Sequence, residues 1–219
     1  MIVGNLKPIE EIASSISKFK QVMIIGCGGC VSVCLTGGEK AADGLALDLA
    51  YAGYYDGTPP EFIVQNFLRQ CEPDLMKTYL NIPSDVDAVL SLACGAGVQT
   101  MVDIYSDKPI IPAVNTSFLG AFDSQGVWKE KCQGCGNCIL DQTGGICPIT
   151  RCAKKILNGP CGGSKDGRCE INPNVDCAWQ LIIDRLEALG RMDDYMKILP
   201  PKDWSTDRGL GPRSMAYPE

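Results

Sequence analysis

Between Cys132 and Cys177 the chain reads CQGCGNCILDQTGGICPITRCAKKILNGPCGGSKDGRCEINPNVDC, which places eight of its thirteen cysteines within 46 residues. The stretch is too polar and too rich in glycine to bury a core of its own, so something other than hydrophobic packing must hold it together. Thiolate-bound metal is the leading candidate. A disulfide framework is disfavoured, because thirteen is an odd number and the start of the chain, MIVGNLKPIEEI, lacks the basic-then-apolar pattern of a secretory signal. The expected location is the cytoplasm, where thiols stay reduced and such cysteine density favours metal.

Several function classes drop out on composition. The chain has no histidine, which removes histidine-based triads, the usual ligands of catalytic zinc and the commonest general base near neutral pH. A net charge of −6 argues against nucleic acid, whose binding needs a basic surface. No apolar run reaches the roughly 18 residues of a membrane span. At 219 residues the chain can form one good core domain with a smaller appendage.

The part before the cysteine-rich stretch alternates strands and helices. Residues 8–19 carry Ile9, Ile12, Ala13, Ile16 and Phe19 at helical spacing. A buried strand follows at Val22–Ile25, then a helix over residues 39–51. Next come a strand at residues 61–67, a helix at 73–80, the clearest strand at 87–93, a short helix at 98–105 and a proline-bearing edge strand at 108–114. This pattern predicts an α/β fold, a small parallel-sheet Rossmann-like domain. Residues 115–131 read as a connection. The expected organisation is an α/β domain over 1–116, a cysteine-rich module over 117–178, a helix over 179–199 that Gly190 can bend, and an extended arm over 200–219. The arm is read as disordered or laid along a partner.

Ligands of parallel sheets gather outside the carboxyl ends of the strands. Cys27, Cys71 and Cys94 each sit just past such an end. Cys27, Cys30 and Cys34 form a C-x2-C-x3-C triplet in a glycine-rich turn, able to offer three thiolates to one metal centre. Cys94 is the expected fourth ligand and Cys71 the alternative. In the second cluster, Cys132, Cys135 and Cys138 make a CxxCxxC, followed by Cys147-Pro148. That order resembles ferredoxin [4Fe–4S] ligation, with a longer gap before Cys-Pro. Cys152, Cys161, Cys169 and Cys177 then follow at intervals of nine, eight and eight residues. Eight thiolates suffice for two four-thiolate sites. One pairing joins Cys132, Cys135 and Cys138 to Cys177, and Cys147 to Cys152, Cys161 and Cys169. Spacing leaves an exchange of Cys147 and Cys177 open. Zinc held by four cysteines is the competing chemistry.

The run C-x2-C-G-x-C…T-G-G-x-C-P…N-G-P-C-G-G…G-x-C-E…C-x-W resembles the cysteine-rich signature of the methylenetetrahydrofolate reductase C-terminal-like (MetV-type) proteins. Here it comprises Cys132, Cys135, Gly136, Cys138, Thr143, Gly144, Gly145, Cys147, Pro148, Asn158 to Gly163, Gly167, Cys169, Glu170, Cys177 and Trp179. GCGGCVSVC near the start, RQCE at 69–72 and ACGAGVQ at 93–99 are similar to that family too. The resemblance implies an electron-transfer subunit of a methylenetetrahydrofolate reductase complex in the Wood–Ljungdahl pathway, itself without catalytic residues. It implies two to three [4Fe–4S] clusters, with zinc as an alternative at one four-cysteine site. The implied partner is a TIM-barrel subunit that carries FMN and reduces 5,10-methylenetetrahydrofolate to 5-methyltetrahydrofolate. Ferredoxin or another electron-transfer protein would be a further partner. Read as zinc sites, the same cysteines imply a structural assembly module with no redox role.

Overall fold

The computed structural model describes residues 1–51, 54, 55, 57–207, 209 and 212–215. Residues 208, 210, 211 and 216–219 of the expected arm lie outside them. The chain divides into two compact units, Met1–Trp128 and Lys129–Glu219.

In the first unit the elements run β1 (Ile2–Leu6), α1 (Ile9–Ile16), β2 (Gln21–Cys27), α2 (Cys30–Val33), α3 (Gly38–Ala50), β3 (Glu61–Phe67), α4 (Pro73–Tyr79), β4 (Ala88–Leu92), α5 (Gly95–Ile104), β5 (Ile110–Pro112) and β6 (Val114–Ser124). Strands β3, β2, β4 and β5 form a parallel sheet in that order. The α/β expectation holds, and the four strands sit within two residues of their sequence-derived ends. The two central strands are continuous apolar runs, MIIG in β2 and AVLSL in β4, because both of their faces are covered. Val22 and Ile24 point into one core with Ile12, Ile16, Leu45 and Leu49 from α1 and α3. Met23 and Ile25 point into the other, with Met76 of α4 and Met101 of α5. Fully burying one such side chain contributes about 1.5–3 kcal/mol, so these two layers account for the rigidity of the sheet.

The first strand of this sheet, β2, is followed by β3 on one side and β4 on the other. The chain order therefore reverses between β2 and β4. Loops leaving two such strands part in opposite directions and open a crevice at the carboxyl edge.

Residues 115–131 are not the expected connection. They form β6 and most of β7 (Val127–Cys132), joined to β1 in a separate sheet of order β1-β6-β7. β1 pairs antiparallel with β6, from Ile2 opposite Leu119 to Leu6 opposite Val114, with an irregularity between Val3 and Gly4. Strand β6 lacks a clean period of two, since Asn115, Thr116 and Ser117 are exposed in succession, and its partner β1 is more than a hundred residues away in sequence. Neither feature gives a local signal.

The second unit has little regular structure beyond the end of β7: α6 (Pro148–Arg151), α7 (Ala178–Ala188) and α8 (Met192–Tyr195). Gly190, at φ 66°, ends the helical stretch after α7 as the sequence suggested. Among the described residues its core cluster has four buried members, Cys177, Trp179, Ile182 and Leu186. A unit this poor in buried apolar side chains needs another kind of staple.

Candidate metal centres

At the carboxyl edge of the parallel sheet, Cys27 is the last residue of β2 and Cys94 is the residue before the first turn of α5. They flank the crevice between β2 and β4. The loop after β3 runs beside them. Gly28 N–H donates to Phe67 O at 2.8 Å, so the glycine turn that follows Cys27 continues the β2–β3 pairing. Gln70 is fully buried and anchors this loop under the sheet. Its amide donates to Ile25 O at 2.9 Å, and its carbonyl accepts from Ser91 Oγ at 2.6 Å. A methyl group placed on Gly97 of α5 would lie 3.1 Å from Gln70 Cβ. Cys71 is thereby held next to the first turn of α5.

The electrostatics place the thiols in the same way. Burial pushes the Cys71 thiol up from its ordinary range, and the neighbouring thiols of Cys94 and Cys27 push in the same direction. Arg69 is raised chiefly by its hydrogen bond to Glu72, 3.0 Å away, with Cys71 and Cys30 adding to the effect. Cys27, Cys30, Cys71 and Cys94 thus belong to one neighbourhood.

Cys34 does not share it. Its side chain is 5% exposed and is part of the core between β1 and α3. Its sulfur accepts from Gly4 N–H at 3.5 Å, lies 3.4 Å from Val31 O, and is 3.3 Å from Thr36 Oγ1. It caps the carboxyl end of the four-residue helix α2, which Cys30 opens.

In the second unit, Gly134 N–H donates to Cys132 Sγ at 3.3 Å. Backbone N–H bonds to sulfur lower the energy of a thiolate. Cys147 is the residue before α6, and Thr150 of that helix donates to Lys131 O at 3.4 Å. This contact ties the Cys147–Pro148 turn to the chain entering Cys132. The remaining four cysteines converge elsewhere. Cys152, Cys161, Cys169 and Cys177 line one cavity of about 20 Å³ together with Ile156, Ala178 and Trp179. Cys177, and not Cys147, joins the other three around it. Cys169 N–H donates to Val175 O at 2.9 Å and Cys177 N–H to Gly167 O at 2.7 Å, which closes the 167–177 hairpin. Trp179 caps the cavity, its indole N–H donating to Ile156 O at 3.1 Å. At the rim, Lys154 forms an ion pair with Glu170. The hydrogen bond from Lys154 holds the Glu170 carboxyl below its usual range. The Cys161 thiol donates to the same carboxylate at 3.6 Å.

The arm, expected to be loose or to lie on a partner, packs on its own unit. Lys202, only 8% exposed, donates to Asn137 O at 2.5 Å. Thr206 Oγ1 donates to Cys135 O at 2.9 Å, and Arg213 to Gly134 O at 3.2 Å. All three acceptors lie between Cys132 and Cys138. Gly136, at φ 78°, is the residue that lets the arm approach: a methyl group there would stand 2.5 Å from Thr206 Cβ. Sequence reading missed this clasp because isolated polar residues in a proline-rich tail carry no periodic signal.

Among the described residues, no three cysteine or carboxylate side chains stand at metal-holding distance as they are placed. The donor sets nevertheless suit a thiophilic metal: cysteine-rich loops backed by backbone donors and, near Cys71 and Cys30, by the Arg69 cation.

Fold and site together define an α/β domain joined to a cysteine-rich module. Residues 111–205 match the family model described as Methylene-tetrahydrofolate reductase C terminal. That segment is a little under half of the chain and includes every cysteine from Cys132 to Cys177. The cysteines of the first unit lie outside it. No curated protein and no solved structure matches the chain. Among the described residues no helix is long and apolar enough to cross a membrane.

Proposed function

We propose that this chain is an electron-transfer subunit of a methylenetetrahydrofolate reductase complex, and that its cysteines hold iron–sulfur clusters. The observation that carries this reading is the match of residues 111–205 to the reductase C-terminal family, a segment whose dominant chemistry is thiolate ligation. In the second unit, Cys132, Cys135, Cys138 and Cys147 are assigned to one centre, and Cys152, Cys161, Cys169 and Cys177 to another. This pairing takes the exchange that spacing had left open. It follows the hydrogen bond from Thr150 to Lys131 and the shared cavity. Clusters bound here would supply one-electron transfer. The chain's own part is to hold their ligands at fixed positions, to surround sulfur with N–H donors such as Gly134, and to exclude water with Trp179 and the arm. The electron acceptor or donor would be FMN in a separate subunit, with ferredoxin as a further partner.

A second reading applies to the Cys152, Cys161, Cys169 and Cys177 set. Its four thiols share one small cavity with Trp179, a donor set that a single zinc ion also takes. Under that reading this centre is structural, and it staples a module with a small core.

Anaerobic purification of the full chain tests both readings. Electron transfer predicts a brown protein with broad absorbance in the visible blue that dithionite bleaches. A colourless protein with zinc as its sole metal would refute it. Iron in the second unit together with one zinc lost only in Cys161→Ser would place the structural ion at the second set.

A further inference from the structure

We infer that the first unit carries a metal centre of its own, ligated by Cys27, Cys30, Cys71 and Cys94, and that Cys34 has no part in it. The inference rests on the proposed metal-binding role of the chain and concerns a region outside the matched family segment.

Three elements of the fold lead to it. First, the strand order β3-β2-β4-β5 puts the reversal of strand order between β2 and β4, and Cys27 and Cys94 end or follow those two strands. The crevice where open α/β sheets take their ligands is therefore flanked by thiols. Second, Gln70 is locked into the sheet by Ile25 and Ser91, at 2.9 and 2.6 Å. The next residue, Cys71, is thereby held at that crevice, beside the first turn of α5. A disordered loop could not place a ligand this way. Third, Cys30 opens α2 one turn beyond Cys27. A methyl group on Gly29 would lie 3.5 Å from Cys27 Sγ and 3.9 Å from Arg69 Cγ. The glycine turn thus brings the Cys27 thiol and the Arg69–Cys71 loop together. Cys30 and Cys71 are exposed and Cys94 half-buried, so three of the four thiols can turn toward a common metal without disturbing the core.

Cys34 fails on each count. It lies behind α2, is buried among Val3, Val31 and Val114, and has hydrogen-bonding neighbours in Gly4, Val31 and Thr36. Pulling it to the crevice would break the packing of β1 on α2. It behaves as a small core residue, as free buried cysteines often do. The ligand class that these four thiols would recognise, once turned toward the crevice, is a thiophilic metal, either an iron–sulfur cluster or a zinc ion. Arg69 supplies a positive charge next to the resulting anionic centre.

The test uses the full chain, produced anaerobically with iron and zinc both supplied, and reads metal per chain by mass spectrometry alongside visible absorbance. Cys71→Ser and Cys30→Ser should each lose the metal of one centre, about a third of the total if three similar centres are present. Cys34→Ala should retain all of it. Cys71→Ser at full metal content overturns the inference, whatever Cys34→Ala does. Loss of one centre in Cys34→Ala with β2 amide protection intact overturns it as well. Full metal in Cys71→Ser with depletion in Cys135→Ser would refute this inference and leave the proposed function standing. A chain that binds no metal at all would refute both.

Discussion

Replacing Gln70 by leucine isolates the device that is argued to place Cys71. Gln70 is fully buried, and its amide makes two hydrogen bonds, to Ile25 O at 2.9 Å and from Ser91 Oγ at 2.6 Å. Leucine has a similar volume, so little cavity forms. The cost comes from the polar groups left behind. The Ser91 hydroxyl loses its acceptor inside the sheet, and an unsatisfied buried group costs about 1–3 kcal/mol. Loss of the bond to Ile25 O adds roughly 0.5–1.5 kcal/mol, for a total of about 1.5–4.5 kcal/mol. Hydrogen exchange of the β2 and β4 amides is the appropriate assay, since it reports on this unit alone. A second variant checks the mechanism. Ser91→Ala combined with Gln70→Leu removes the orphaned hydroxyl and should recover part of the loss, less the bond that Ser91 Oγ accepts from Ala93 N–H at 3.3 Å. Two results would refute the reasoning. One is Gln70→Leu within about 0.5 kcal/mol of the parent, the scatter of unremarkable substitutions. The other is a double variant as unstable as the sum of the two single changes.

Two further perturbations address other parts of the molecule. Gly136→Ala should cost about 1–2 kcal/mol through its left-handed backbone and displace the arm at Thr206, so that trypsin cuts after Lys202 faster than in the parent chain; unchanged cleavage would show that the arm is not clasped there. Asp87 accepts from the N–H groups of Gln21 and Lys20, at 3.0 and 2.8 Å, and these bonds hold its carboxyl below the usual range. Its stabilising contribution is therefore complete above the unfolded carboxylate value, about pH 4, and is lost as pH falls through the lower folded value. The difference in urea midpoint between Asp87→Ala and the parent should hold constant near neutrality and shrink in acid, and a difference that grew in acid would contradict the assignment.

Together these features describe how the chain handles a shortage of hydrophobic material in one half. The first unit has two apolar layers around a parallel sheet. The second, among the described residues, has a core cluster of four buried side chains, a Trp-capped group of cysteines and an arm folded onto the Cys132–Cys138 loop. Lys202 and Thr206, isolated polar residues by sequence, make contacts that tie the Cys132–Cys138 loop to the arm.

The sequence by itself determined the α/β class and the kind of chemistry available. Both are local properties. The apolar runs of β2 and β4 and the helical spacing of Ile9, Ile12, Ala13 and Ile16 are readable within a dozen residues. Absence of histidine and abundance of cysteine limit the ligand set before any fold is known. Tertiary structure alone decided where each cysteine lies. Spacing favoured Cys34 as a partner of Cys27 and Cys30, because it is close in sequence. The turn of α2 instead sends Cys34 into the core under β1, while the strand order carries Cys71 and Cys94 to the β2 edge from 44 and 67 residues away. In the same way the 167–177 hairpin, closed by backbone hydrogen bonds, delivers Cys177 to the cavity of Cys152, Cys161 and Cys169. Strand β1 found its partner in β6 through pairing across most of the first unit. Such groupings depend on which strands lie side by side and how loops close, and neither is written in the distance between two residues along the chain.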